Sequence, residues 1–232
     1  MPEGPAGMPR TDDLMARILV MFLLLAFGPG PVAAQTEGRG GGRGRNRPPA
    51  VRLELGYAAD LFQPALGGRS RDPVALDNLD LFLHLSLNPL LGLRGTSVRV
   101  HVQSNRGSSI SSRVGDLQGI SNLEAPTDWR LYEAWIGHQF GSPRLSLLAG
   151  VYDVNSEFDV LPGAGDFLNS SFGLGPELAL AGDAGPATFP GTGLALRLRY
   201  EPSPSLYALW GVSDGVPGAP AQDRFTLSSR EG

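Results

Sequence analysis

No cysteine occurs among the 232 residues, so neither disulfides nor thiolate chemistry can enter. That suits a chain which crosses an oxidising compartment without covalent staples. Lysine is missing as well, and every strongly basic side chain is an arginine. Charge of either sign is sparse: charged residues make up 18% and the formal net charge is -4, which leaves no global field to draw nucleic acid. No apolar run reaches the roughly 20 residues of a transmembrane helix. A mean hydropathy close to neutral likewise excludes a bundle of such helices, though it says nothing of barrels, whose strands turn only alternate residues to lipid. What the chain has instead is glycine (32) and proline (20), both above ordinary usage, and hydrophobic residues in short alternating runs. A wholly disordered, highly charged chain is thereby disfavoured, and strands are favoured over helices.

The start of the chain is an address. Met15-Ala16-Arg17 precedes the apolar run 18–27, followed by Gly28, Pro29, Gly30, Pro31 and the small-residue site Val32-Ala33-Ala34. Residues 1–34 therefore read as a secretory signal peptide cleaved after Ala34, its apolar run too short to span a bilayer. Glu3, Asp12 and Asp13 are foreign to the basic leader of such a peptide, which leaves Met15 as an alternative translation start. Residues 35–50 are glycine, arginine and proline without a periodic apolar face, and read as a disordered tether.

From Val51 the signal has period two. Val51, Leu53, Leu55, Tyr57, Ala59 and Leu61 alternate with Arg52, Glu54, Gly56, Ala58 and Asp60. Leu79, Leu81, Leu83, Leu85 and Leu87 then oppose Asp80, Phe82, His84, Ser86 and Asn88. Further candidate strands cover residues 96–104, 129–140, 144–153, 192–201 and 206–214, each about the 9 to 11 residues a tilted strand needs to cross a bilayer. A soluble sandwich would alternate too. The connections favour a barrel, because they alternate between tight (88–96, 141–144, 202–205) and long (105–128, 154–191). An up-and-down barrel with short periplasmic turns and long extracellular loops has that order. Trp129, Tyr132, Phe140, Tyr200 and Trp210 lie in or at the ends of candidate strands, where either an interfacial girdle or core packing would use them.

The strings QGISNLEAP (118–126), LYEAW (131–135), AGVYDVNSEFDV (149–160), FLNSSFGLGPEL (167–178), FPGTGLALRLRYEPS (189–203) and DGVPGAP (214–220) resemble, in order, the carbohydrate-selective porins of Gram-negative bacteria. The resemblance implies an all-β, antiparallel up-and-down transmembrane barrel of roughly 16 strands. It also implies an outer-membrane location, surrounding lipid, and passive diffusion of glucose and other mono- or small oligosaccharides. Members of that family run to roughly twice this length and finish on a strand with a terminal aromatic residue. Residues 51–232 are accordingly expected to supply the N-terminal part of the barrel, the first seven or so strands, with 224–232 leading into another. Such an open sheet would need more strands before it could insert, since unpaired edges are costly in hydrocarbon.

A sugar channel needs charged and amide side chains to exchange hydrogen bonds with hydroxyls, and aromatic surfaces for the ring faces. Alternation assigns Asp80, His84, Arg99, His101, Glu133, Trp135, Arg197 and Arg199 to the lumen. The arginines could fork onto vicinal hydroxyls and Trp135 could stack on a ring, or the charges could simply pair across strands. Asp153, Asn155, Glu157 and Asp159 fall at every second position where the longest connection begins. If extended, they would form an acidic row lining a constriction; an ordinary solvated loop is the alternative.

Other chemistries fit less well. The same row lacks the glycine and closing glutamate of a calcium loop, with Phe158 and Ala164 in those places. His84 and His101 have no evident third partner for a metal, and no cofactor is expected. Gly211-Val212-Ser213-Asp214-Gly215 matches a hydrolase nucleophile elbow in letters only, since Val216-Pro217-Gly218-Ala219-Pro220 cannot start the helix it must feed. An enzyme is therefore not expected. The rival readings are a secreted soluble sugar-binding β-protein and a truncated gene product without transport activity of its own. Which sugar passes, and whether barrels form homo-oligomers, stays open.

Overall fold

The computed structural model describes residues 49–117, 119–141, 145–181 and 185–217. The signal peptide, the tether up to residue 48 and the lead-in at 224–232 lie outside the described residues. Seven strands form one antiparallel sheet in which each pairs with its neighbours in sequence: β1 (Val51–Phe62), β2 (Val74–Ser86), β3 (Thr96–Gly107), β4 (Asp128–Phe140), β5 (Leu145–Tyr152), β6 (Gly193–Ser203) and β7 (Leu206–Ser213). This is an up-and-down meander, and the described sheet is not closed. Among the described residues no helix is long and apolar enough to cross a membrane, which says nothing of a barrel.

Register keeps the two faces distinct. Leu53 pairs with Leu83 and Leu83 with Val100, whereas His84 pairs with Arg99 and Arg99 with Trp135. Because side chains alternate, these pairings stack the apolar residues on one face and the polar ones on the other. On the apolar face Leu55 (70% exposed), Leu196 (49%), Trp210 (55%) and Val212 (67%) are uncovered. Phe140 and Tyr200 are also exposed there, where a girdle would be, and Trp129 on the same face is half-buried.

β2 begins well before the leucine alternation that marks it in the sequence. Val74 and Leu76 belong to the opposite parity from Leu79, so they lie on the polar face, where they are buried with Ile110. Ile110 sits in a short helix, α2 (Ile110–Val114; α1 is Leu87–Leu91 in the β2–β3 turn). Phe62, Val114, Ile120 and Leu123 complete this small core. Burying each such side chain is worth about 1.5–3 kcal/mol, enough to fold the β3–β4 connection inward over the sheet instead of leaving it solvated. Ser109 caps α2 by accepting the Ser112 amide at 2.9 Å, and Glu124 accepts from the Ser111 amide at 3.1 Å.

A second irregularity bends the alternation in β4. The ladder pairs His101 with Glu133 but Val102 with Leu131, leaving Tyr132 as an extra residue in a bulge. Tyr132 is consequently buried on the polar face, its ring edge-on to His101 at 4.9 Å. Of the two roles open to it, packing holds and the girdle does not.

Candidate functional site

The polar face carries two charged clusters, each built from neighbouring strands by register. In the first, His101 (5% exposed) rests on Phe82 at 4.1 Å between ring centres and places Nε2 2.7 Å from Asp80 Oδ1. Glu133 is buried beside it, 3.1 Å from Arg99 Nε and 3.9 Å from His101 Nδ1. The Arg99 guanidinium lies over the Phe82 ring at 5.0 Å, an attraction between cation and π face that also holds the fork in place. Gln103 donates to Asp80 at 3.1 Å, so the carboxylate is saturated from several sides.

The second cluster joins the wall to the longest connection. Glu157 Oε2 is 2.6 Å from Arg197 Nε, its Oε1 is 3.5 Å from Arg199 Nη1, and the Tyr152 hydroxyl donates to it at 2.6 Å. Arg197 also donates to Ser146 at 2.7 Å; Arg199 pairs with Glu201 at 2.5 Å and lies over the Tyr207 ring at 4.7 Å. Trp135 packs against the buried Leu148, Tyr152 and Ala195 between the clusters. It faces Gly150, whose φ of 141° is foreign to other residues and whose missing Cβ would lie 2.6 Å from the Trp135 Cα.

The stretch from Asp153 to Asp159 does not stay extended. A 3-10 turn over Val154–Ser156 breaks the alternation, and its residues separate. Asp153 caps the turn by accepting the Asn155 amide at 2.9 Å and takes the Tyr132 hydroxyl at 2.7 Å. Burial pushes the Asp153 carboxyl above the ordinary carboxylate range, opposed by the Tyr132 and Asn155 hydrogen bonds. Asn155 donates to the carbonyl oxygen of Phe158 at 3.1 Å, bracing the turn. Glu157 alone of the row reaches the arginines. Asp159, in a left-handed conformation (φ 54°), turns away to accept the Gly175 amide at 2.7 Å, at the start of α3 (Pro176–Ala179).

The structure thus brings together Arg99, His101 and Glu133 with Asp80, and Glu157 with Arg197 and Arg199; Asp153 links them through Tyr132. Trp135 sits between the clusters and Asp159 outside both. His84 stands at the margin, 3.9 Å from Glu54. Phe82, Tyr152, Glu201 and Tyr207 were not picked out from the sequence. Phe82 and Tyr152 have the parity that would have found them, whereas Tyr132 is placed by a bulge that no periodicity reveals. Among the described residues no group of three His, Asp or Glu side chains could hold a metal ion. The Gly211–Gly215 string holds the end of β7, and the Asp214 amide carries on the pairing by donating to the Leu194 carbonyl oxygen at 2.8 Å.

Comparison with known proteins gives concordant results. A family model described as carbohydrate-selective porin, OprB family, matches residues 70–232. Porin B of Pseudomonas aeruginosa is 25% identical over 173 residues, covering 71% of this chain and 37% of that protein. The high-pH structure of Pseudomonas putida OprB superposes with a TM-score of 0.66 at 21% identity, over 77% of this chain and 44% of that one. This likeness establishes the fold, and the chain spans less than half the length of either relative.

Proposed function

The chain belongs to the carbohydrate-selective porin, OprB family, and from that membership we propose that its seven strands form part of the wall of an outer-membrane channel through which sugars such as glucose diffuse passively. Further strands complete the barrel, since two free sheet edges in hydrocarbon would leave a row of unpaired amides and carbonyls. The uncovered leucines, valine and tryptophan of the apolar face then meet lipid, and the clustered face lines the lumen. A channel of this kind calls for no catalytic group.

The observation that carries the reading is the meeting of Glu157 with Arg197, Arg199 and Tyr152, which holds the longest connection against the polar face. Guanidinium groups offer paired donors and carboxylates offer acceptors, so a passing ring exchanges its hydrogen bonds with water for similar ones with the wall. Charges of both signs, already matched with each other, bind a neutral polyol weakly enough to release it.

The test is ion current through the full-length protein in planar bilayers, with and without glucose. Concentration-dependent block in the wild type, weakened in Glu157→Ala, is the expected result. Recovery of the full-length protein as a soluble species without detergent would defeat the proposal.

A further inference from the structure

Beyond the two clusters, the connections frame an open-sided cavity of about 870 Å³. Its walls come from three places: Ser121, Asn122 and Glu124 on the β3–β4 connection, Asn155, Thr188 and Phe189 on the β5–β6 connection, and Asp128 and Arg130 at the start of β4. These walls are fixed to one another. Arg130 donates to the carbonyl oxygen of Pro126 at 2.8 Å and to that of Pro190 at 3.4 Å, one on each connection. The Asn122 amide donates to the Leu168 carbonyl oxygen at 2.8 Å, and its side chain to that of Phe167 at 2.9 Å. Buried Ser121 is held by Asp60 at 2.8 Å. The cavity is therefore preformed, which lowers the ordering cost of filling it.

We infer that this cavity is an outer subsite for a neutral oligosaccharide of more than one ring, occupied before the sugar reaches Glu157 and the arginines. The inference rests on the channel reading and deepens it. Its volume stands in the upper part of the ~300–1,000 Å³ span of small-molecule sites, more than one hexose ring fills. Ser121, Asn122 and Asn155 already donate within the protein, to Asp60, Phe167 and Phe158, so their oxygens meet sugar hydroxyls as acceptors, and the Phe189 ring offers an apolar plane. Two carboxylates, Glu124 and Asp128, outnumber the one guanidinium, so a phosphorylated or otherwise anionic sugar meets repulsion there. Asn155 lines the cavity on the same turn that presents Glu157, so a chain leaving the subsite is delivered to the second cluster.

Gly173 allows a direct test. It lines the cavity, has ordinary right-handed backbone (φ -77°), and an added Cβ would meet only the Ser170 carbonyl oxygen at 3.4 Å. Gly173→Phe fills space without touching either cluster, and Gly173→Leu fills less of it. In bilayers holding the full-length protein, current block is titrated with glucose and with maltotriose. Gly173→Phe is expected to weaken maltotriose block about tenfold and to leave glucose block within about twofold, while Gly173→Leu weakens maltotriose block about threefold. Maltotriose block unchanged in both variants, or glucose and maltotriose weakened equally, overturns the subsite while leaving the channel intact. Wild-type current indifferent to both sugars overturns the channel reading itself. Should Gly173→Phe fail to assemble, Gly173→Leu decides alone.

Discussion

Glu157 Oε2 lies 2.6 Å from Arg197 Nε, so a side chain of the long connection neutralises a nearly buried cation of the strand wall. Neither group is fully surrounded by water, and the Tyr152 hydroxyl depends on the same carboxylate. Removing the carboxylate strands both partners.

Glu157→Ala is accordingly expected to cost about 3 kcal/mol and to free the connection from the wall. On semi-native gels the variant should convert from the compact to the unfolded band at a lower temperature, with a larger single-channel conductance. An unchanged conversion temperature would mean that the pair contributes nothing.

Asp153 sets a pH dependence whose sign follows from its surroundings. Burial raises its folded pKa above the unfolded value, so the folded state binds the proton more readily. Its contribution is fully present below the unfolded value and is lost as pH rises through the raised one. Between about pH 3 and pH 7, Asp153→Asn should therefore show a flatter conversion temperature than wild type. Parallel curves would dismiss Asp153 as the source.

Gly150 admits no side chain. Its φ of 141° and the approach of Trp135 combine backbone strain with overpacking, so Gly150→Ala is expected to lose about 2–4 kcal/mol. Gly137, close by with no such backbone demand, serves as the control: Gly137→Ala should be milder by the same assay.

Deleting Tyr132 tests the bulge. Without the extra residue the ladder becomes regular, with Glu133 still opposite His101 and Leu131 still opposite Val102, so Arg130 and Leu131 keep their faces. What the deletion removes is the buried Tyr132 ring against His101 and the hydroxyl that donates to Asp153. The deletion variant of the full-length protein should therefore still assemble into outer membranes but lose about 3–5 kcal/mol of aromatic packing, read as a lower conversion temperature, whereas Tyr132→Phe, which loses only the hydrogen bond to Asp153, should be milder. Failure of the deletion variant to assemble would mean that the bulge itself is required.

Most of the sheet is legible in the sequence because its code is the side-chain period itself. Leu79 to Leu85 and Val98 to Val102 announce strands, and register then stacks their polar partners without further information. Legibility fails where a second packing demand overrides the period. Val74 and Leu76 follow the opposite parity because they must cover Ile110, so β2 starts earlier than its leucines suggest. Tyr132 breaks parity by insertion, and the alternation of Asp153 through Asp159 was no strand at all but a turn capped by its own first carboxylate. Distant partners such as Asn122 and Phe167 have no local signature, so the cavity they frame is visible only once the chain is folded.

The stitching of the two long connections to each other and to the wall separates two quantities that a bare cylinder would tie together. In an empty barrel, calibre follows from strand number, and changing it means adding a hairpin and rebuilding every register. In the proposed channel the space inside the wall is partitioned by inward-folded segments, held by Glu157 on one side and by the Ile110 core on the other. On that proposal, the size limit for what passes can be retuned by lengthening or exchanging a few loop residues while the apolar outer face stays as it is.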